Sequence, residues 1–174
     1  GNFGNICAGI LAHVSGLPVK HFIAACNVND TVPRFLQTGA WEPNEAVPTL
    51  SNAMDVAVPS NFVRILELMQ QELPKLKNLV SSTCITDEET LKCIRDVKSN
   101  YGYLLDPHGA VGYLSLERYL RQHPEASGFL LETAHPVKFP DAIVQAIGIE
   151  VPVPEALKPL MLKEKRSVVI DPIY

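Results

Sequence analysis

The chain opens on Gly1-Asn2-Phe3-Gly4-Asn5, and an apolar, helix-compatible run follows at once over residues 6–14. The start of a helix leaves N–H groups unpaired, its dipole favours an anion, and glycine lets a backbone approach one closely. The loop therefore reads as a phosphate cradle, and equally as an ordinary turn into a helix. A second stretch, Glu132-Thr133-Ala134-His135-Pro136, follows the apolar run Phe129-Leu130-Leu131. Open α/β sheets bind ligands at the carboxyl ends of their strands. A Thr133 hydroxyl placed there donates to, or accepts from, a ring nitrogen; an ST-type turn into the next helix explains it as well. His135 could serve as a base, but a histidine before proline reads first as a residue held by packing and a local hydrogen bond. Asp106-Pro107-His108-Gly109-Ala110-Val111-Gly112 has Asp106 as a helix N-cap and two glycines that favour close packing, or the approach of a cofactor. Residues 49–56 and 59–64 read as a loop with helix caps, and Trp41, Met54 and Met69 as core.

Several chemistries are excluded. Cysteines 7, 26, 84 and 93 form no Cys-x-x-Cys pair, and the five histidines have no ligand spacing with them, so no metal site is expected. The four are read as reduced, buried thiols of a cytoplasmic protein. A net charge of −4 gives no electrostatic footprint for nucleic acid or an anionic membrane. The longest nearly unbroken apolar stretch, residues 6–12, is far short of the roughly 20 residues of a membrane span. With 174 residues, 47% of them hydrophobic and 20% charged, the chain suits one globular domain with a tail.

The elements that must position these residues are readable from pattern. Helices are expected over 6–14 (stopped by Ser15-Gly16-Leu17-Pro18), over 31–36, and from Ser60 with Phe62, Ile65, Leu66, Met69 and Leu73 on one face until Pro74 ends or kinks it. A capping box, Thr86 with Glu89, starts a helix to about residue 99 with Leu91, Ile94 and Val97 inward. Further helices are expected over 109–121, 140–147 (closed by Gly148) and 155–162. Strands are expected over 20–26, 103–105 and 127–132. Helices alternating with short apolar strands predict an α/β fold, a layered α/β/α sandwich around a mostly parallel sheet. A glycine-rich turn into a helix normally follows a strand, and none precedes Gly1, so the chain is expected to be the later part of a longer protein.

Taken in order, the segments are more specific than any one alone. Gly-Asn-Phe-Gly-Asn, Asn-Xaa-Asn-Asp, Thr-Leu-Ser-Xaa-Ala-Met-Asp, Pro-Ser-Asn-Phe-Xaa-Arg, Asp-Pro-His and Thr-Ala-His-Pro-Xaa-Lys-Phe together resemble the threonine synthase family over residues 1–148. The family consists of pyridoxal-phosphate enzymes of the tryptophan-synthase-β-like fold, that is, fold type II. The resemblance implies that Gly1, Asn2, Phe3, Gly4 and Asn5 hold the cofactor phosphate and that Thr133 contacts the pyridine nitrogen. It implies conversion of O-phospho-L-homoserine and water to L-threonine and phosphate, which needs a Schiff-base lysine. The family carries that lysine in a Phe-Lys-Asp motif upstream, and this chain has no Phe-Lys-Asp. No catalytic residue is therefore assigned here.

The resemblance further implies that the chain is the C-terminal part of the catalytic domain over 1–148 with an extension over 149–174. Its partner would be the missing N-terminal half, and the chain would be inactive and hold pyridoxal phosphate poorly without it. Apolar surface is expected to lie exposed where that half docks. The competing expectation is a lysine-less module of the same fold that binds a phosphate ligand or a protein. A different β-eliminating or β-replacing enzyme of this fold is a third reading.

Overall fold

The computed structural model describes residues 1–164 and 166–169. Eight α-helices and two β-strands run in the order α1 (Gly4–Val14), β1 (Phe22–Cys26), α2 (Thr31–Thr38), α3 (Phe62–Leu68), α4 (Leu73–Leu79), β2 (Val80–Cys84), α5 (Asp87–Tyr101), α6 (Pro107–Gln122), α7 (Pro140–Ile147) and α8 (Lys158–Met161). The strands pair in parallel, with Phe22 opposite Val80 and Cys26 opposite Cys84. The α/β expectation holds, with helices on a parallel pair.

Two apolar clusters fill the molecule. One joins Ile10 of α1, Ala24, Val32, Phe62, Ile65, Leu76 and Val80. The other joins Cys93, Ile94 and Val97 of α5 to Ala110 of α6 and Ile143 of α7. Between them, α6 lies against both strands. The two helix stops read from glycine are present. Gly16 takes φ +110°, its N–H bonds to His13 O at 2.9 Å, and Leu17 N–H bonds to Ala12 O at 2.9 Å, a Schellman close. The α5 box is complete, with Thr86 accepting from Glu89 N–H and the Glu89 carboxylate accepting from Thr86 N–H.

Some expectations need correcting. The helix from Ser60 is two helices. Pro74 does not end the first but sits in the first turn of α4. The break falls at Gln70 and Gln71, both at φ 59°. A proline clashes with the carbonyl four residues back, which here is Gln70, so the chain turns there instead. The strand β2 went unread because Val80-Ser81-Ser82-Thr83-Cys84 has one strongly apolar residue at its start. Residues 103–105 and 127–132 are not strands, since neither has a hydrogen-bonded neighbour among the described residues. Residues 127–132 instead run extended along α6. The helix expected from residue 31 has Asp30 at its N-cap, and the Thr31 hydroxyl donates to Ala57 O at 2.8 Å. Met69 is core, whereas Met54 is only half-buried and Trp41 stays 39% exposed while stacking on Phe62. All four cysteines are free; Cys26 and Cys93 are buried, Cys7 is half-buried and Cys84 is exposed. Burial pushes the Cys26 and Cys93 thiols up to about 12, so neither is a thiolate nucleophile. Among the described residues no helix is long and apolar enough to cross a membrane, and no cluster of His, Cys, Asp and Glu could hold a metal ion.

Candidate functional site

The start of α1 is open. Phe3 stands at its N-cap with φ 60° and ψ 20°, a left-handed conformation uncommon for an aromatic residue. Its ring meets Phe62 edge-on at 5.8 Å, which anchors the strained residue on the core. A left-handed residue followed by a helical one turns successive N–H groups into one concavity, an anion-binding nest. Helix starts have no intrahelical acceptor for their first N–H groups. Cys7 is the first residue of α1 whose N–H finds one, Phe3 O at 3.0 Å. The N–H groups of Gly4, Asn5 and Ile6 thus face outward, and Gly4 and Asn5 are exposed. The other two loop residues are engaged with the protein: the Gly1 nitrogen donates to Met54 O at 2.9 Å, and Asn2 Oδ1 accepts from Ser60 N–H at 2.6 Å.

Met54 belongs to a turn fixed by a buried polar hub. Asp55 Oδ1 accepts from Asn27 Nδ2 at 2.9 Å, Asn29 Nδ2 at 3.0 Å and the Thr49 hydroxyl at 2.8 Å, while Oδ2 accepts from Thr49 N–H at 2.9 Å. Ser51 is fully buried beside them, its hydroxyl accepting from Asn27 Nδ2 at 3.0 Å. The segments 27–30 and 49–55 are therefore one structural unit, with β1 ending in the asparagines that hold the turn. The sequence alone reads as a capped loop over 49–56. Its signal was a pair of asparagines at the end of a buried strand, which need an acceptor to balance their amides.

The same turn touches α6. Ala53 N–H donates to His108 Nε2 at 3.1 Å, and His108 Nδ1–H donates to Asp106 Oδ1 at 2.7 Å. With one ring nitrogen accepting and the other donating, His108 is a neutral imidazole in a single tautomer. Asp106 also caps α6 through His108 N–H at 2.8 Å, as the sequence suggested. His135 accepts from Val137 N–H at 3.1 Å through Nδ1, the local hydrogen bond expected of it. Thr133 is exposed. It lies next to Glu132, whose carboxyl rests on the first turn of α6. Residues 1–5 and Thr133 are thus joined indirectly, through the 52–54 turn and the N-terminus of α6. The cavity of about 460 Å³ between β2 and α6, lined by His21, Ser81, Arg118, Tyr119 and His123, contains none of them.

The chain is similar to known proteins over most of its length. The family model for the C-terminal region of threonine synthase matches residues 109–172. Threonine synthase of Serratia marcescens is 46% identical over 157 residues, covering 90% of this chain and 36% of the relative. That of Saccharomyces cerevisiae is 32% identical over 218 residues, covering 98% and 42%. The crystal structure of threonine synthase from Escherichia coli superposes with TM-score 0.81 at 45% identity, over 91% of this chain and 36% of that one. Pyridoxal-phosphate-bound threonine synthase from Brucella melitensis superposes with TM-score 0.84 at 35% identity, over 98% and 41%. The chain spans about two fifths or less of the length of these relatives. It belongs to the threonine synthase family, as a C-terminal portion of it.

Proposed function

We propose that this chain is the cofactor-holding C-terminal part of an enzyme that converts O-phospho-L-homoserine and water to L-threonine and phosphate with pyridoxal phosphate. The observation that carries the reading is the start of α1, where the left-handed Phe3 gathers the open N–H groups of Gly4, Asn5 and Ile6. Neutral backbone donors at the positive end of an 11-residue helix fit a phosphate. They bind and orient it, Phe3 keeps the nest in shape from the core side, and Asp55 steadies the turn beneath. Thr133, exposed on the segment that crosses α6, offers its hydroxyl to the ring nitrogen. Pyridoxal phosphate, when bound, supplies an electron sink for carbanions. A hydroxyl, unlike a carboxylate, does not hold the ring nitrogen protonated, so the sink is weaker and protein contacts must share the stabilisation.

The proton-moving lysine belongs to the N-terminal part, in a Phe-Lys-Asp segment that this chain lacks. Residues 1–148 complete the catalytic domain and 149–174 extend it, in a cytoplasmic enzyme. The chain alone is inactive on this reading. The test mixes the chain with an N-terminal threonine synthase segment carrying Phe-Lys-Asp, adds pyridoxal phosphate, dialyses, and reads the cofactor absorbance. The mixture retains about one equivalent and the chain alone none. Gly4→Asp, which sets a negative charge in the nest, weakens retention at least tenfold. A stoichiometric absorbance held by the chain alone contradicts the reading and favours a free-standing phosphate-ligand module.

A further inference from the structure

Asp106 is fully buried, and its two oxygens are treated differently. Oδ1 takes both hydrogen bonds from His108, while Oδ2 is buried with no donor. A buried acceptor left unpaired is costly and calls for an explanation. His108 cannot supply a second donor, because its other nitrogen already accepts from Ala53. The group that can is Glu132. The third residue of α6 is Gly109, and a Cβ there would come within 2.6 Å of the Glu132 carboxyl carbon and closer still to its oxygens. Glu132 therefore occupies the space of a missing side chain. Its carboxyl lies at the third position of α6, beside the buried Asp106 carboxyl. In α5 the third residue, Glu89, closes the capping box from within the helix. In α6 that place is a glycine, and a glutamate from a distant segment fills its space.

We propose that Glu132 is a positioning residue: it carries a proton at neutral pH, donates it to Asp106 Oδ2, and pins residues 128–133 across the first turns of α6. No bond is broken in this state. One Glu132 oxygen accepts the Asp106 N–H and the other, as O–H, donates to Oδ2. The packing agrees, because alternate residues of the segment face the helix. Gly128 meets Leu116, Leu130 lies over Gly112, and Glu132 lies over Gly109. The pin also closes a relay from Glu132 through Asp106, His108 and Ala53 to the turn that holds Gly1. That it thereby sets the place of Thr133 against a cofactor rests on the function proposed above; the pin itself does not.

The electrostatics point the same way. Glu132 is exposed as a residue, but partial burial of its carboxyl against α6, and then the Asp106 carboxyl beside it, push it up to about 8. Burial alone would raise Asp106 as well, but hydrogen bonds from His108 and Glu132 outweigh it and hold Asp106 down at about 2. The titratable groups acting on the pair are each other and His108. Because the folded-state value of Glu132 lies above its ordinary 4.5, its contribution to stability is complete below pH 4.5 and is lost as the pH rises through 8. Above that point two carboxylates face each other and the pin opens.

The test is carboxyl ¹³C NMR of the full chain from pH 4 to 9, with amide hydrogen exchange over residues 128–135. We expect one glutamate resonance titrating near 8, absent in Glu132→Gln. Exchange over 128–135 rises through that pH beyond the intrinsic rate in the wild type. It shows no such step in Glu132→Gln, which keeps a donor but cannot ionise. Gly109→Ala evicts the carboxyl and returns its titration to the ordinary glutamate range, which serves as a second test if other variants fold poorly. Ordinary titration of Glu132 in the wild type, or the same step in Glu132→Gln, overturns the proposal. Neither readout involves a cofactor, so failure of the pin and failure of the proposed function are separate results.

Discussion

Asp55 shows how much of the site depends on one acceptor. Four donors converge on it from Asn27, Asn29 and Thr49. Truncating it orphans the Thr49 N–H, at about 1–3 kcal/mol, and removes one acceptor each from the Asn27 and Asn29 amides, which keep Ser51 Oγ and Val47 O. Asp55→Ala is therefore expected to lower the unfolding free energy of the chain by roughly 3 kcal/mol, and Asp55→Asn by less, because the amide oxygen still accepts. Urea unfolding of the two variants checks this; equal midpoints for Asp55→Ala and wild type contradict it. The hub was only half legible. The asparagines announced a need for an acceptor, but nothing local in the chain says which acid meets them across the turn. Asp106 was legible as a cap because Asp-Pro is a local helix-start signal. The empty place at Gly109 was not, since a glycine records the absence of a side chain and not what fills it.

At the scale of elements, the parts fixed by neighbouring residues were read correctly. These are the Schellman close at Gly16, the α5 box, and the glycine closing α7 at φ 72°. Thr86→Ala removes the side chain that accepts Glu89 N–H and is expected to cost about 1 kcal/mol, read as a lower thermal midpoint. A midpoint unchanged within error would show that Asp87, Glu88 and Glu89 hold the α5 start through the dipole alone. The parts that depend on distant partners were misread. Residues 127–132 set Gly128, Leu130 and Glu132 toward α6, but only Leu130 is partly covered, and Phe129 and Leu131 are 76% and 61% exposed. Alternation reports which side is buried; a ladder needs a neighbour as well. The division of α3 from α4 was legible in kind but not in place, because Pro74 forbids a bond at Gln70 while tolerating its own position in a first turn.

The molecule as a whole exposes 11242 Å², about a third more than the roughly 8,400 Å² of a compact monomer of its mass. Part of this lies in the extended C-terminal residues, where Leu162, Val168 and Val169 are 87% or more exposed. Part comes from Phe129, Leu131, Tyr101 and Tyr103, all more than half exposed. On the function proposed above, exposed apolar side chains such as these are where another segment docks. Among the described residues the sheet is one parallel pair. On the function proposed above, this chain holds the cofactor while the proton-moving lysine comes from an N-terminal part. The most direct measurement is formation of threonine from O-phosphohomoserine, made on the chain alone and on the chain assembled with a Phe-Lys-Asp-bearing N-terminal segment. The account predicts no threonine from the first and steady turnover from the second. Threonine formed by the chain alone, at a rate that scales with its concentration, would contradict it.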